Sequence, residues 1–219
     1  MPTTVRVWDL PTRCFHWALA ACVLGSLATA WAPGSWVEWH ARLGYVALTL
    51  LVFRLLWGLF GGRWSRFTSF LYSPRSVLAY LRGTPHPDHL VGHNPLGAGS
   101  VLAMLVVLLV QVGTGLVSDD EIAFQGPLNR FVSSSKGLAA TAYHKDIGQW
   151  LVLALVLLHV GAIAFYRLKK GENLVRPMLV GDKVVPGAVA SSRDDAAMRL
   201  LALVVFAACA GGVAWLVTR

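Results

Sequence analysis

The chain has 219 residues, 56% of them hydrophobic and 14% charged, with a mean hydropathy of +0.58. Soluble domains carry about 25% charged residues, and disordered chains combine low hydrophobicity with high charge, so both classes are excluded. The net charge of +8 bears first on membrane orientation and only second on an acidic partner.

A helix needs about 20 mostly apolar residues to cross the hydrocarbon core. Five stretches qualify: approximately Phe15–Trp31, Leu43–Phe60, Leu96–Val117, Ile147–Tyr166 and Leu200–Val217. The competing reading of the first is a cleaved signal peptide, because Ala28-Thr29-Ala30 resembles a small-residue cleavage site. Asp9 before the apolar run and His16 within it are both odd for such a signal. Between the second and third spans lies 61–94, proline-rich, with a short apolar pattern at Val77–Leu81. Between the third and fourth lies the polar segment 118–146, with Gly126 and Pro127 as breakers. A basic, Gly/Pro-punctuated stretch, 167–199, precedes the last span.

With the N-terminus inside, the inner segments hold thirteen Lys and Arg against five outside. The positive-inside rule then predicts a cytoplasmic N-terminus and, with five spans, a periplasmic C-terminus. Trp31, Trp36, Trp39, Trp57, Trp64 and Trp150 fall near span ends, as an aromatic belt would place them.

Cys14, Cys22 and Cys209 have no paired spacing, which argues against a disulfide framework, a zinc ribbon and a covalent c-type haem site. The informative residues are histidines. Ionisable side chains within a membrane are costly and mark function, and His16, His40, His144 and His159 sit in or at the ends of spans. His144 and His159 are 15 residues apart, about 22 Å along a helix and about 60° apart around it. The fourth span therefore offers one inward histidine near each membrane face. Matched by depth, His16 pairs with His159 on the inner side and His40 with His144 on the outer side. Opposed imidazoles from different helices suit two non-covalent bis-histidine haems. Zinc would require a third or fourth ligand, and no Cys, Asp or Glu is obviously available at these depths. The alternative for the histidines is interhelical hydrogen bonding. Gly25, Gly44, Gly113, Gly115, Gly148 and Gly161 leave room either for macrocycles or for close helix packing.

Arg54, 14 residues after His40, falls at the inner haem's depth, where it would clamp a propionate or snorkel to the interface. Arg13, one turn before His16, is a weaker candidate of the same kind. His86, His89 and His93 would share a helix face, but Pro85, Pro87 and Pro95 break that helix, so a polar loop is expected. The acidic run Asp119-Asp120-Glu121 would steer a basic redox protein or merely be solvated surface.

These residues carry a resemblance. Val7-Trp8-Asp9-Leu10-Pro11-Thr12-Arg13 running into Phe15-His16-Trp17, Trp39-His40 followed by Gly44, Phe53-Arg54-Leu55-Leu56-Trp57-Gly58, Arg66-Phe67, His93-Asn94-Pro95, Gly113-Thr114-Gly115 and His144 through His159 resemble the bacterial cytochrome b561 and nickel-hydrogenase b-type cytochrome family. The resemblance covers roughly Val5 to Lys183. It implies a four-helix bundle with two b haems that exchanges electrons with membrane quinone and a redox partner, and its axial histidines fall on His16, His40, His144 and His159.

The expected fold is thus an all-α integral membrane protein: a four-helix transmembrane haem bundle over 1–183, a cytoplasmic linker 184–199, and a fifth C-terminal transmembrane helix over 200–217. The expected function is electron transfer across the bacterial inner membrane between quinone and a periplasmic redox protein, dehydrogenase or hydrogenase. No nucleic-acid partner is expected, and self-association stays open. A narrower alternative is a stand-alone superoxide:quinone oxidoreductase. An alternative from another class is a haem-free small transporter or assembly factor; against it, no repeat or broken helix appears, and the span interiors hold no acids for a proton relay.

Overall fold

The computed structural model describes residues 2–32, 36–84, 86, 89, 91–122 and 124–219. The expected breakers Pro85 and Pro87 lie outside the described residues. Helices α1 (Leu10–Trp31), α2 (Val37–Phe60), α4 (Pro95–Val117) and α8 (Ala196–Val217) are each long and apolar enough to cross a membrane. So is a continuous helical run, Ser134–Lys169, built from α5 (Ser134–Ala142), a π-helical turn (Tyr143–Gly148) and α6 (Gln149–Lys169). Short α3 (Pro74–Leu81) and α7 (Val175–Val180) and strands β1 (Pro2–Arg6) and β2 (Asp182–Pro186) complete the elements used below. The fourth span thus begins ten or more residues before its apolar core. The segment 134–146 is polar enough to read as loop, yet it holds no proline, and the helix runs through it.

The chain divides into two compact units, and every long helix contributes one end to each. The first unit comprises Met1–His16, Arg54–Ala103 and Leu158–Val205. Here β1 and β2 pair antiparallel, from Pro2 opposite Pro186 to Arg6 opposite Asp182. Val5, Val7, Trp8, Trp64, Val91 and Val185 are buried together, with Met178 and Val189 against them. The backbone N–H groups of Val7 and Trp8 donate to the carbonyl of Gly181. Gly181 closes α7 at φ +93°, where an added Cβ would lie 2.4 Å from Arg6 Nη1, so only glycine fits that turn.

The stretch expected as a linker is folded onto the N-terminus. Ser192 Oγ donates to Val7 O (2.8 Å) and accepts from Trp64 N, while Trp64 Nε1 donates to Ala190 O. Asp194 accepts from Leu10 N at the start of α1 and pairs with Arg199 and Arg6. Burial alone would raise the Asp194 carboxyl, but hydrogen bonds from Arg199 and Leu10 N and the charges of Arg199 and Arg6 carry it below the ordinary range.

The second unit comprises Trp17–Phe53, Met104–Leu157 and Phe206–Arg219. Leu50, Leu51 and Phe53 of α2 are buried, and Phe53 meets Phe206 of α8 edge-on, ring centres 6.0 Å apart. In the connection between α4 and α5, the acidic run is bound into the loop itself. Asp119 accepts from Glu121 N and Gln125 Nε2, and Asp120 accepts from Ile122 N and Phe124 N.

Apolar side chains such as Leu24, Leu59, Leu157, Leu158 and Leu203 are exposed along the long helices, as a lipid-facing surface requires. The aromatic belt needs correction. Trp31, Trp36, Trp39 and Trp150 are exposed, but Trp57 and Trp64 are buried. Their indole N–H groups donate to Asp9 and to Ala190 O, partners from distant parts of the chain that nearness to a span end does not reveal.

Candidate functional site

Each unit contains one histidine pair. In the second unit His40 of α2 and His144 of the π-helical turn face one another with ring centres 5.9 Å apart and planes at 85°. His40 Nδ1 lies 3.0 Å from Ser26 O, and His144 Nδ1 lies 2.8 Å from Gln111 O. A carbonyl can only accept, so each Nδ1 carries the proton and each Nε2 keeps its lone pair. The two surrounds match further: Thr29, three residues after Ser26, lies 3.4 Å from His40 Nδ1, and Thr114, three after Gln111, lies 3.3 Å from His144 Nδ1.

The π-helical turn is a feature the sequence reading missed. Such turns cluster at functional sites because the extra residue re-aims a side chain. Gln111 holds this one: its Nε2 donates to His144 O (3.0 Å), while its own carbonyl receives the His144 ring. Gly148 makes the arrangement feasible, since a Cβ there would meet Gln111 Oε1 at 1.8 Å.

A cleft of about 640 Å³ lies at this pair, lined by His40, His144, Gly44, Gly115, Leu108 and Val112 among others. That is within the range of roughly 300–1,000 Å³ common for ligand pockets. Gly44 borders open space, and Gly115 lies against the His144 ring, both consistent with room for a macrocycle. Gly25 packs on Leu43 and Gly148 on Gln111, so these two serve packing, while Gly113 and Gly161 meet nothing within 4 Å.

In the first unit His16 of α1 and His159 of α6 have ring centres 6.2 Å apart, planes at 51°. Arg54 is buried, its guanidinium 5.0 Å from the Phe67 ring centre. Arg13 donates to Leu179 O (2.5 Å). Asp9 is fully buried: Oδ1 accepts from Thr12 N and Trp57 Nε1, and Oδ2 accepts from Gly62 N and Ser65 Oγ. It thereby caps α1 two turns before His16.

His93 corrects the polar-loop expectation. Its ring lies 4.7 Å from those of both Trp8 and Phe70. Burial, then the charges of Arg54, His159 and His16, push it down to about 3. It therefore belongs with this pair, while the tilted rings of His86 and His89 have centres 5.5 Å apart and His89 lies 4.5 Å from the Tyr72 ring. Among the described residues no group of three or more His, Cys, Asp or Glu is arranged to hold a metal ion.

Two imidazoles sharing one metal, each nitrogen at about 2 Å, have ring centres about 6 Å apart. Both pairs meet that spacing. In the second unit the proton-bearing Nδ1 positions and the cleft also suit a bis-histidine haem.

The family model described as prokaryotic cytochrome b561 matches residues 7–181, which leaves α8 outside the matched stretch. The "Probable Ni/Fe-hydrogenase B-type cytochrome subunit" of Bradyrhizobium diazoefficiens is 22% identical, over 82% of this chain and 86% of the relative. The protein of that name from Rhodobacter capsulatus is 22% identical, over 83% and 82%. The "Probable Ni/Fe-hydrogenase 1 B-type cytochrome subunit" of Escherichia coli K12 is also 22% identical, over 80% and 88%. No solved structure matches the chain at a significant level. With five apolar helices long enough to span among the described residues and a family match over most of its length, the chain is a multi-pass membrane protein and belongs to the prokaryotic cytochrome b561 family.

Proposed function

We propose that the protein moves electrons across the bacterial inner membrane through two b-type haems, between membrane quinone and a redox partner on the periplasmic side. The pairing carries the reading: two sets of opposed imidazoles, each at a spacing suited to one shared iron. His16 and His159 would ligate the inner iron, and His40 and His144 the outer. Residues 1–183 form the haem-bearing part, the N-terminus is cytoplasmic, and the span 200–217 is an addition. The names of the relatives support a hydrogenase or a similar dehydrogenase as partner.

When bound, haem supplies a reversible one-electron couple. The chain's own contribution is positional. Ser26 O and Gln111 O fix the tautomer and ring orientation of His40 and His144 and raise their basicity as ligands. Gly44 borders open space beside the pair, Gly115 lets the His144 ring lie close, and Leu108 and Val112 give the cleft an apolar wall. Arg54 and Arg13 supply positive charge beside the His16–His159 pair for a propionate.

The test is a dithionite-reduced minus oxidised spectrum of the detergent-purified protein, with haem quantified per chain. Two b-type haems, falling to one in His16→Ala or His40→Ala, are expected. Absence of a haem signal from cells supplied with haem would refute the reading and favour the haem-free transporter class.

A further inference from the structure

Short helix α3 of the first unit takes no part in either histidine pair, and its position and faces point to a ligand of another kind. Hydrogen bonds tie its segment to the ends of two spanning helices. Tyr80 and Tyr166 share one of 2.5 Å, and Tyr166 stands in the last turn of α6. Tyr72 Oη donates to His93 O (2.6 Å), two residues before α4 begins, and Asn94 Nδ2 donates to Tyr166 Oη (2.9 Å), joining the two anchors. They hold α3 at the level where those spans leave the hydrocarbon. At 100° per residue, Val77, Leu78 and Leu81 form one stripe, Arg75 and Arg82 flank it within about 60° of Leu78, and Tyr80 points to the opposite side. Leu78, Leu81 and neighbouring Leu71 are exposed, as are both arginines. The charge is one-sided: 61–84 holds four arginines and no acid, and the end of α6 adds exposed Arg167, Lys169 and Lys170. Among the described residues no carboxylate forms an ion pair with Arg75, Arg82, Arg167, Lys169 or Lys170, and Glu172, the next acid along the chain, is taken by Lys183 (2.7 Å).

We propose that α3 lies in the membrane interface and binds anionic phospholipid headgroups, with its leucines among the acyl chains and Arg75 and Arg82 on phosphate. An apolar stripe edged by arginines is the pattern of a helix that rests in the interface plane. The arginines select the headgroup. A guanidinium fork matches two phosphate oxygens, and an anionic headgroup brings no cation of its own to compete for them, as a zwitterionic one does. Arg75 and Arg82 are about 10 Å apart along the helix, so each takes its own phosphate. An acidic protein would match the charges but not the exposed leucines, which the two anchors place at the hydrocarbon edge. The proposal rests on the membrane-spanning helices and is independent of haem.

The full-length protein is placed in nanodiscs of phosphatidylcholine, alone or mixed with phosphatidylglycerol, and backbone amide exchange over 74–82 is followed by mass spectrometry. Phosphatidylglycerol is expected to slow exchange by about fivefold for each arginine, the equivalent of about 1 kcal/mol apiece at an anionic surface. High salt should erase the difference. Arg75→Gln combined with Arg82→Gln should remove it, while lysine at both positions should keep most of it. Arg130→Gln, an equal change of charge in the connection between α4 and α5, should leave it intact. Equal exchange in the two discs would overturn the proposal, as would a phosphatidylglycerol effect that survives the double glutamine variant. Protection that appears in detergent and rises with protein concentration would assign the face to a second copy of the chain and overturn it too. If the double variant does not fold, the salt-reversible difference in the unmodified protein decides.

Discussion

Replacing Asp9 by asparagine tests how the His16 end of α1 is held. The carboxylate is fully buried and accepts on both sides: Thr12 N at 2.8 Å and Trp57 Nε1 at 3.2 Å on Oδ1, Gly62 N at 2.9 Å and Ser65 Oγ at 2.9 Å on Oδ2. An asparagine amide can accept on one side only. Whichever way it turns, its NH₂ faces two groups that are themselves donors. Bonds to a charged acceptor are worth about 1.5–3 kcal/mol each, so losing two costs about 3–6 kcal/mol. Ser65 can rotate and accept in turn, which returns part of this and leaves a net cost of about 3 kcal/mol. Total stabilities run about 5–15 kcal/mol, so the fraction lost is large. Unfolding in detergent, monitored beside haem content, should show a destabilised chain that, on the proposed dihaem reading, loses the haem assigned to His16 and His159 before the other. An Asp9→Asn protein within about 1 kcal/mol of wild type, with both haems bound, would refute the reasoning.

Gly44→Leu adds bulk where no atom lies within 4 Å of the new Cβ; the haem-free chain should fold normally while the haem proposed at His40 and His144 is lost, measured by haem per chain against melting temperature. Gln111→Leu removes the bond to His144 O and should cost the fold only about 1 kcal/mol. Because it frees the π-helical turn, it should also change the low-spin electron paramagnetic resonance signal of that haem, and Gln111→Glu, which lacks the donor, should behave alike. His93 has a folded value near 3 against an ordinary 6.5. Protons therefore favour the unfolded state: its stability contribution is full above pH 6.5 and shrinks as pH falls toward 3. His93→Phe, which keeps the ring between Trp8 and Phe70, should flatten that part of the haem-free protein's pH–stability profile. Asp194→Ala removes the acceptor for Leu10 N and the partner of Arg199; it should speed proteolysis within 187–195, read by the rate of chain cleavage.

The sequence alone determined the membrane class, the five spans and the two histidine pairs. Run length, residue type and spacing along one helix are local properties, and a histidine in an apolar run is conspicuous without any structure. The structure brings together the same partners that matching by depth selected, at 6.2 and 5.9 Å. What surrounds those rings was decided only by tertiary structure. The Nδ1 acceptors are backbone carbonyls of Ser26 and Gln111, and a carbonyl leaves no mark in a sequence. Trp57 reads as an interface anchor until Asp9, 48 residues away, is seen to take its N–H. His93 reads as loop until Trp8 and Phe70 close on it. In each case the deciding partner is far along the chain, and its effect is burial: a polar group that would be unremarkable in water must find a partner once water is excluded.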